Sequence, residues 1–335
     1  MQEYEIYISG NALRQFPIDT VFGLLWYNEK EVLEIPKRIP FCGEWGEVLS
    51  TSISYKDKFP MPFKLNLAYI SLVEEKIYEI EEFLPRKDME RLWEKKLFNH
   101  IVIGMAPLGK VAIWFHGYRK SILVNSIQGQ CVDIELKGIV SGFNNIHTYC
   151  KNIIANNHNL MKEKLPNLDF FNYYMKQFTY RYNVLYEKKK EKQWIKFDEN
   201  EVQPHLEYIE EALFDGTHDK LHDGSLLKYH QAGKPKKLAI KWHIGKSEYS
   251  AYFWFEDERI REVFDKFYGA HPDTKTDFII RIDAENKKYE LALYRYGLKE
   301  PQIISEDVYQ LLVFKNKFKD YRSDNYNQER GAWIW

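Results

Sequence analysis

The residues best suited to chemistry gather in the segment GTHDKLHDG, where His218 and His222 stand four apart beside Asp219 and Asp223, with His230 downstream. Two imidazoles at i and i+4 on a helix share one face and could hold a zinc ion. Gly216 and Gly224 bracket the segment, however, and glycines mark turns rather than stable helices. A transition-metal site also needs three or four converging ligands. The spacing therefore predicts a hydrated loop with polar caps, and neither a metal nor a cofactor is expected.

Paired carboxylates raise a second chemistry, glycoside hydrolysis, because Asp277 and Asp283 share one face of an expected strand and Glu290 follows in the same hairpin. At about 3.4 Å per residue the two aspartates stand some 20 Å apart. Acid and nucleophile or base must lie within about 5–9.5 Å, so this pair is rejected. Arg281, Asp283 and Arg295 read instead as an exposed cross-strand ladder of ion pairs, of little value to stability but available to a partner. The C-terminal run adds Tyr321, Arg322, Asn325, Tyr326, Trp333 and Trp335, residue types that dominate binding hot spots and equally suit a segment closing its own domain. The expected binding residues are thus Arg281, Asp283, Arg295, Tyr321, Arg322, Asn325 and Trp333, with no catalytic residue assigned.

No GxGxxG, GxxxxGK[ST], HExxH, GxSxG or CxxC motif is present, so dinucleotide, P-loop, zinc-protease, hydrolase and zinc-knuckle chemistries lack their local signatures. With 48 basic and 49 acidic residues in 335, the chain lacks the basic excess of a nucleic-acid binder. The basic run Lys188, Lys189, Lys190 and Lys192, broken by Glu191, reads as a solvated linker or helix end. Cys42, Cys131 and Cys150 are too few and scattered for a disulfide framework, which points to a reducing compartment and three mostly buried thiols. There is no apolar run of about 18 residues and no basic and then apolar leader at the start, so a cytoplasmic protein without a membrane span is expected.

The elements that must position these residues repeat. Pro62–Tyr69 and Pro235–Trp242 open two similar stretches, residues 62–125 and 235–304. Each continues with a tyrosine-bearing strand, around Tyr78 and Tyr249, and a short amphipathic helix. In the second copy Ile260, Val263, Phe264 and Phe267 fall on one helical face; in the first, Met89, Leu92, Trp93 and Lys96 do. Two β-like runs around a turn follow, Ile101–Gly117 and Phe278–Gly297, with a type I turn expected over Ala106–Gly109 and a left-handed residue at Asn286. The first hairpin is apolar on both faces, the second on one only.

Between the copies, helical spacing marks residues 144–164 and Asn167 to Tyr182, and a last helix is expected from Ser305 with Leu311, Phe314 and Phe318 in the core. The expectation is an α+β fold of mainly antiparallel sheets, two related ββαββ units with helices between and after them. Its parts are residues 1–140, a helical connector over 141–195, and residues 196–335.

FKLNLAYISLVEEKIYEIEEFLP, with Ser71 and Tyr78 on a strand pair, and the Gly-hydrophobic-Ala-Pro-x-Gly-Lys-x-x-x-Trp segment from Gly104 to Trp114 resemble the uncharacterised bacterial domain-of-unknown-function 2931 family. AYFWFEDE, RYGLKEP and YRSDNYNQ resemble the extension of its longer members. The resemblance brings no catalytic residues. It implies a protein that binds other proteins, since some members stand beside secreted antibacterial toxins and are regarded as their immunity proteins. Those members are often lipoproteins; no lipidation signal is read here, so a toxin acting in the cytoplasm is the expected partner. The alternative is an enzyme or a carbohydrate-recognition protein using the aromatic-rich second half.

Overall fold

The computed structural model describes residues 2–317 apart from 38–40, 42, 50–51, 56, 95–97, 134–141, 144, 157–167, 189–192, 197–203, 223–224, 227, 270, 272, 296 and 298. The chain opens with β1 (Glu3–Tyr4), β2 (Tyr7–Asn11) and β3 (Ile18–Trp26), then the short β4 (Val32–Glu34), β5 (Ser52–Ser54) and β6 (Phe59–Pro60). Next come β7 (Lys64–Ser71), β8 (Lys76–Phe83), helix α1 (Arg86–Trp93), β9 (His100–Met105), β10 (Lys110–Gly117), β11 (Lys120–Gln128) and β12 (Gln130–Val132). Helices α2 (Ile146–Asn156) and α3 (Phe170–Tyr174) lead to β13 (Phe178–Lys188), β14 (Gln193–Lys196), β15 (His205–Leu213), β16 (His218–Leu221) and β17 (His230–Ala232). The rest is β18 (Pro235–Ile244), β19 (Ser247–Phe255), α4 (Asp257–Tyr268), β20 (Thr276–Ile282), β21 (Tyr289–Arg295), β22 (Gln302–Ile304) and β23 (Tyr309–Lys317).

Both ββαββ units are present, as β7-β8-α1-β9-β10 and β18-β19-α4-β20-β21, and the repetition extends beyond them. In the first half β12-β8-β7-β3 pair in that order and β2-β9-β10-β11 in another. In the second half β23-β19-β18-β15 and β13-β20-β21-β22 pair in the same way. Even the parallel contacts correspond, β2 with β9 and β13 with β20, in otherwise antiparallel sheets. Each half closes its two sheets and a helix over one core: Leu67, Ile80, Met89, Ile103 and Phe115 in the first, Tyr182, Trp242, Phe253, Phe264 and Ile280 in the second. A ten-stranded sheet joins the halves, because β11 pairs with β16 at Ser121 and His218.

Local chemistry explains the elements. In α4 the Glu256 carboxylate accepts the Arg259 N–H as N-cap, acids fill the first turn, and Ile260, Phe264 and Phe267 are buried. Asn286 takes the expected left-handed conformation, at φ 56°. The first hairpin is buried on both faces, with Ile101 and Val102 alike inaccessible.

Four expectations are corrected. The turn after β9 places Leu108 at φ 60°, ψ 21°, which is incompatible with type I; its N–H is held 3.0 Å from the Glu74 carboxylate. The helix expected over Asn167–Tyr182 is the five-residue α3 followed by β13, so the helical connector ends inside 141–195 and the second half's first strand begins there. Phe178, Tyr180, Tyr182, Val184 and Tyr186 alternate inward along β13, and period two overrides the helical spacing of Phe171, Tyr174 and Phe178. The final helix is one 3-10 turn, Glu306–Val308, followed by β23. Pairing along β19 satisfies backbone groups that would otherwise line an edge, and leaves Leu311 and Phe314 exposed on opposite faces rather than in a core; Phe318 lies outside the described residues. Finally, Cys131 is exposed and only Cys150 of the described cysteines is buried. Most of the run Lys188–Lys192 and the end of the helix expected over 144–164 also lie outside the described residues.

Candidate functional site

One row of cross-strand partners traverses the seam: Tyr7 on β2, His100 on β9, His116 on β10, Ser121 on β11, His218 on β16 and Ala212 on β15. Directly paired residues point to one face of a sheet, so three imidazoles are aligned. Ring centroids are 6.3 Å apart for His100 and His116, and 5.0 Å for His116 and His218. Burial, then the neighbours His218 and His100, push His116 down to about 3; burial, then Lys120, pushes His218 down to about 4. Both imidazoles are therefore neutral near pH 7, each with one donor and one acceptor nitrogen.

The segment GTHDKLHDG is thus not the hydrated loop expected, but leads into β16. On a strand, His218 and His222 stand about 13 Å apart, and His218 meets His116 instead. Asp219 forms an ion pair with Lys120 at 2.6 Å, and Asp223 lies outside the described residues.

Beside this row a cavity of about 400 Å³ opens between the halves, lined by Trp45, Glu47, His116, Tyr118, Arg119, Glu210, Thr217, His218 and Lys236. Buried Asn11 builds its first wall: Nδ2 donates to the carbonyls of Glu44 and Glu47, both at 2.8 Å, and Oδ1 accepts the Gly46 N–H. The walls meet at two glycines, where a Cβ on Gly46 would stand 2.6 Å from the Gly216 Cα. Trp114 Nε1 donates across the seam to the Asp215 carbonyl at 3.0 Å, and Lys236 pairs with Glu44.

A second polar group lies within the second half. Buried Glu211 accepts the Tyr182 hydroxyl at 2.5 Å, and His230 Nε2 stands 3.6 Å from its other oxygen. Burial opposes the His230 charge, but Glu211 prevails and raises it. Asp215, raised by burial, accepts both the backbone N–H and the hydroxyl of Thr217. The Tyr182 phenol and the Glu211 carboxylate share a hydrogen bond, whereas His230 Nε2 stands beyond hydrogen-bond reach of Glu211 and acts on it through charge.

A third cluster, Glu207, His243 and Glu248, brings three metal-binding atoms within 4.8 Å of one another. Lys241 already supplies its cation, at 3.1 Å from Glu207 and 2.9 Å from Glu248.

The residues picked from sequence lie elsewhere. Arg281, Asp283 and Arg295 do not form one ladder: Arg281 pairs with Glu290, Asp283 caps the hairpin turn by accepting the Lys287 and Lys288 N–H groups, and Arg295 lies 5.6 Å over the Phe267 ring. Tyr321, Arg322, Asn325 and Trp333 lie outside the described residues. His116, Arg119, Glu210 and Glu211 were missed because nothing in their local spacing marks them: the register of β10, β11, β16 and β15 brings His116 and Glu210 to the seam, Arg119 sits in the turn between β10 and β11, and Glu211 faces the other side of β15.

Residues 42–196 match a family model described as a protein of unknown function (DUF2931). No curated protein and no solved structure gives a significant match. The matched span contains Trp45, His116 and Arg119 but ends before Glu210 and His218. Its signature is explained by packing: a Cβ on Gly104 would stand 2.4 Å from the Trp114 ring, Tyr69 donates to the Ala106 carbonyl, and Trp114 carries the bond across the seam.

Proposed function

We propose that the chain is a non-enzymatic binding protein of the cytoplasm whose partner is another protein, docked as an added strand on β23. The carrying observation is that edge. β23 ends the ten-stranded sheet, pairs only with β19 among the described residues, and runs for nine residues. Leu312 is 47% exposed and Phe314 45%, in register with Tyr252 and Ser250 of β19. Long apolar edges invite another strand, which gains backbone hydrogen bonds along its length and side-chain pockets at alternate residues. The toxin-neutralising role that the family resemblance implies needs only such a surface on a stable scaffold.

Tagged full-length protein purified from its native bacterium at moderate salt is expected to retain a stoichiometric protein encoded beside it. The Leu312→Glu, Phe314→Glu double variant is expected to lose that protein while keeping its melting temperature. Retention of the same partner by the double variant would overturn the reading.

A further inference from the structure

The seam cavity carries an assignment independent of the docking edge. Glu210 is only 8% exposed, lines the cavity, and makes no ion pair or hydrogen bond among the described residues, although burial raises its carboxyl. Its cross-strand neighbour Lys220 acts on it through charge alone, with the ammonium 3.5 Å from the centre of the Tyr208 ring and not in an ion pair with the carboxylate. Arg119 likewise has no carboxylate in ion-pair range among the described residues; its guanidinium lies 5.0 Å over the Tyr118 ring at the cavity mouth. A buried carboxylate and a guanidinium that feel each other's charge but share no ion pair or hydrogen bond among the described residues, facing one volume with two imidazoles, leave hydrogen-bonding capacity for a guest to satisfy.

We propose that this cavity is a binding site for a neutral, hydroxyl-rich ligand of one or two sugar rings, held by Glu210, Arg119 and the His116–His218 pair. Charge selects neutrality. The lining balances Glu47 and Glu210 against Arg119 and Lys236, so it carries no net charge to draw an ion of either sign, and burying a charge that is not fully paired is costly. A hydroxyl both donates and accepts, so it can donate to Glu210, accept from Arg119, and do either with a neutral imidazole. The Tyr118 ring, 82% exposed, offers aromatic surface to the C–H face of a sugar. A cavity of about 400 Å³ is within the range that encloses small ligands.

The test is calorimetric titration of the full chain at pH 7 with glucose, galactose, mannose, N-acetylglucosamine, maltose and lactose, beside glycine, phosphate and ethylenediamine. At least one saccharide is expected to bind with a millimolar or tighter Kd, and Glu210→Gln and Arg119→Asn to weaken it at least tenfold each. Asn suits position 119, where φ is 57°, so that variant keeps the test decisive should Glu210→Gln misfold. Glu285→Gln, in the distant hairpin turn, is expected to change nothing. Binding of none of the six saccharides, binding of the charged probes alone, or saccharide affinity indifferent to Arg119→Asn would overturn the assignment.

Discussion

The imidazoles of His116 and His218 meet at 5.0 Å although their strands are not neighbours. β11 runs between them, and Ser121, the β11 residue paired with both, is buried and small enough for the rings to meet over it. Strands two places apart lie about 9.6 Å from each other, so a larger side chain at this point would occupy the space the rings share. Ser121→Leu is expected to cost about 1–3 kcal/mol by overpacking, read as a lower urea midpoint. Unchanged stability would show that the rings do not depend on that gap.

The same pair makes the protein acid-sensitive. Both imidazoles have an ordinary value of 6.5, lowered by burial first to about 3 at His116 and about 4 at His218, with His100 and Lys120 adding to the effect. Below 6.5 the unfolded chain takes up protons that the folded chain refuses, so stability falls as pH drops from about 6.5 toward 4. His230 acts oppositely: raised by Glu211 against its burial, it stabilises at low pH and loses that contribution as pH rises through its folded value. Urea midpoints between pH 7 and 4 should therefore fall less steeply for the His116→Asn, His218→Asn double variant than for the natural chain. Equal slopes would remove the pair as the cause.

At the seam, Gly46 and Gly216 hold φ of 79° and 84°, and a Cβ on either would stand under 3 Å from the other's backbone. Gly46→Ala combines left-handed strain with a backbone clash, so a loss of about 2 kcal/mol or more is expected. Because both glycines relieve one contact, the double alanine variant should cost less than the sum of the singles. Strict additivity in chemical denaturation would place the two strains apart.

What the sequence discloses follows the range of the interaction. The two ββαββ units were legible from local periodicity, and α4 from Ile260, Phe264 and Phe267 on one face. Buried Tyr180, Tyr182 and Tyr186 signalled β13 by alternation, but Phe171, Tyr174 and Phe178 offered a competing helical spacing that only parallel pairing with β20 resolves. The family signature around Gly104 and Trp114 was visible as residues, and its meaning was not, since Trp114 meets Asp215 across 101 positions. The cavity depends on registers between strands as distant as β2 and β15, which no single segment encodes. Arg281, Asp283 and Arg295 looked exposed because local alternation cannot show that Glu290, the hairpin backbone and Phe267 already engage them.

Lys241 occupies a place where a metal would otherwise fit. Burial alone would raise Glu207, but hydrogen bonds from Lys241 and His243 hold it below its ordinary value, and Lys241, despite burial, is pushed up to about 12 by Glu248 and Glu207. Lys241→Ala removes the cation and leaves two carboxylates and an imidazole whose ligand atoms lie within 4.8 Å. Without metal the variant is expected to lose about 1–3 kcal/mol, the worth of hydrogen bonds to charged groups and of the repulsion now uncovered. With zinc at a hundredfold excess over its Kd it should regain about 2.7 kcal/mol, whereas the natural chain's melting temperature should not respond, because the ammonium holds the position. A zinc-dependent rise in the natural chain, or none in the variant, would show that Lys241 is not what keeps the three ligands from a metal.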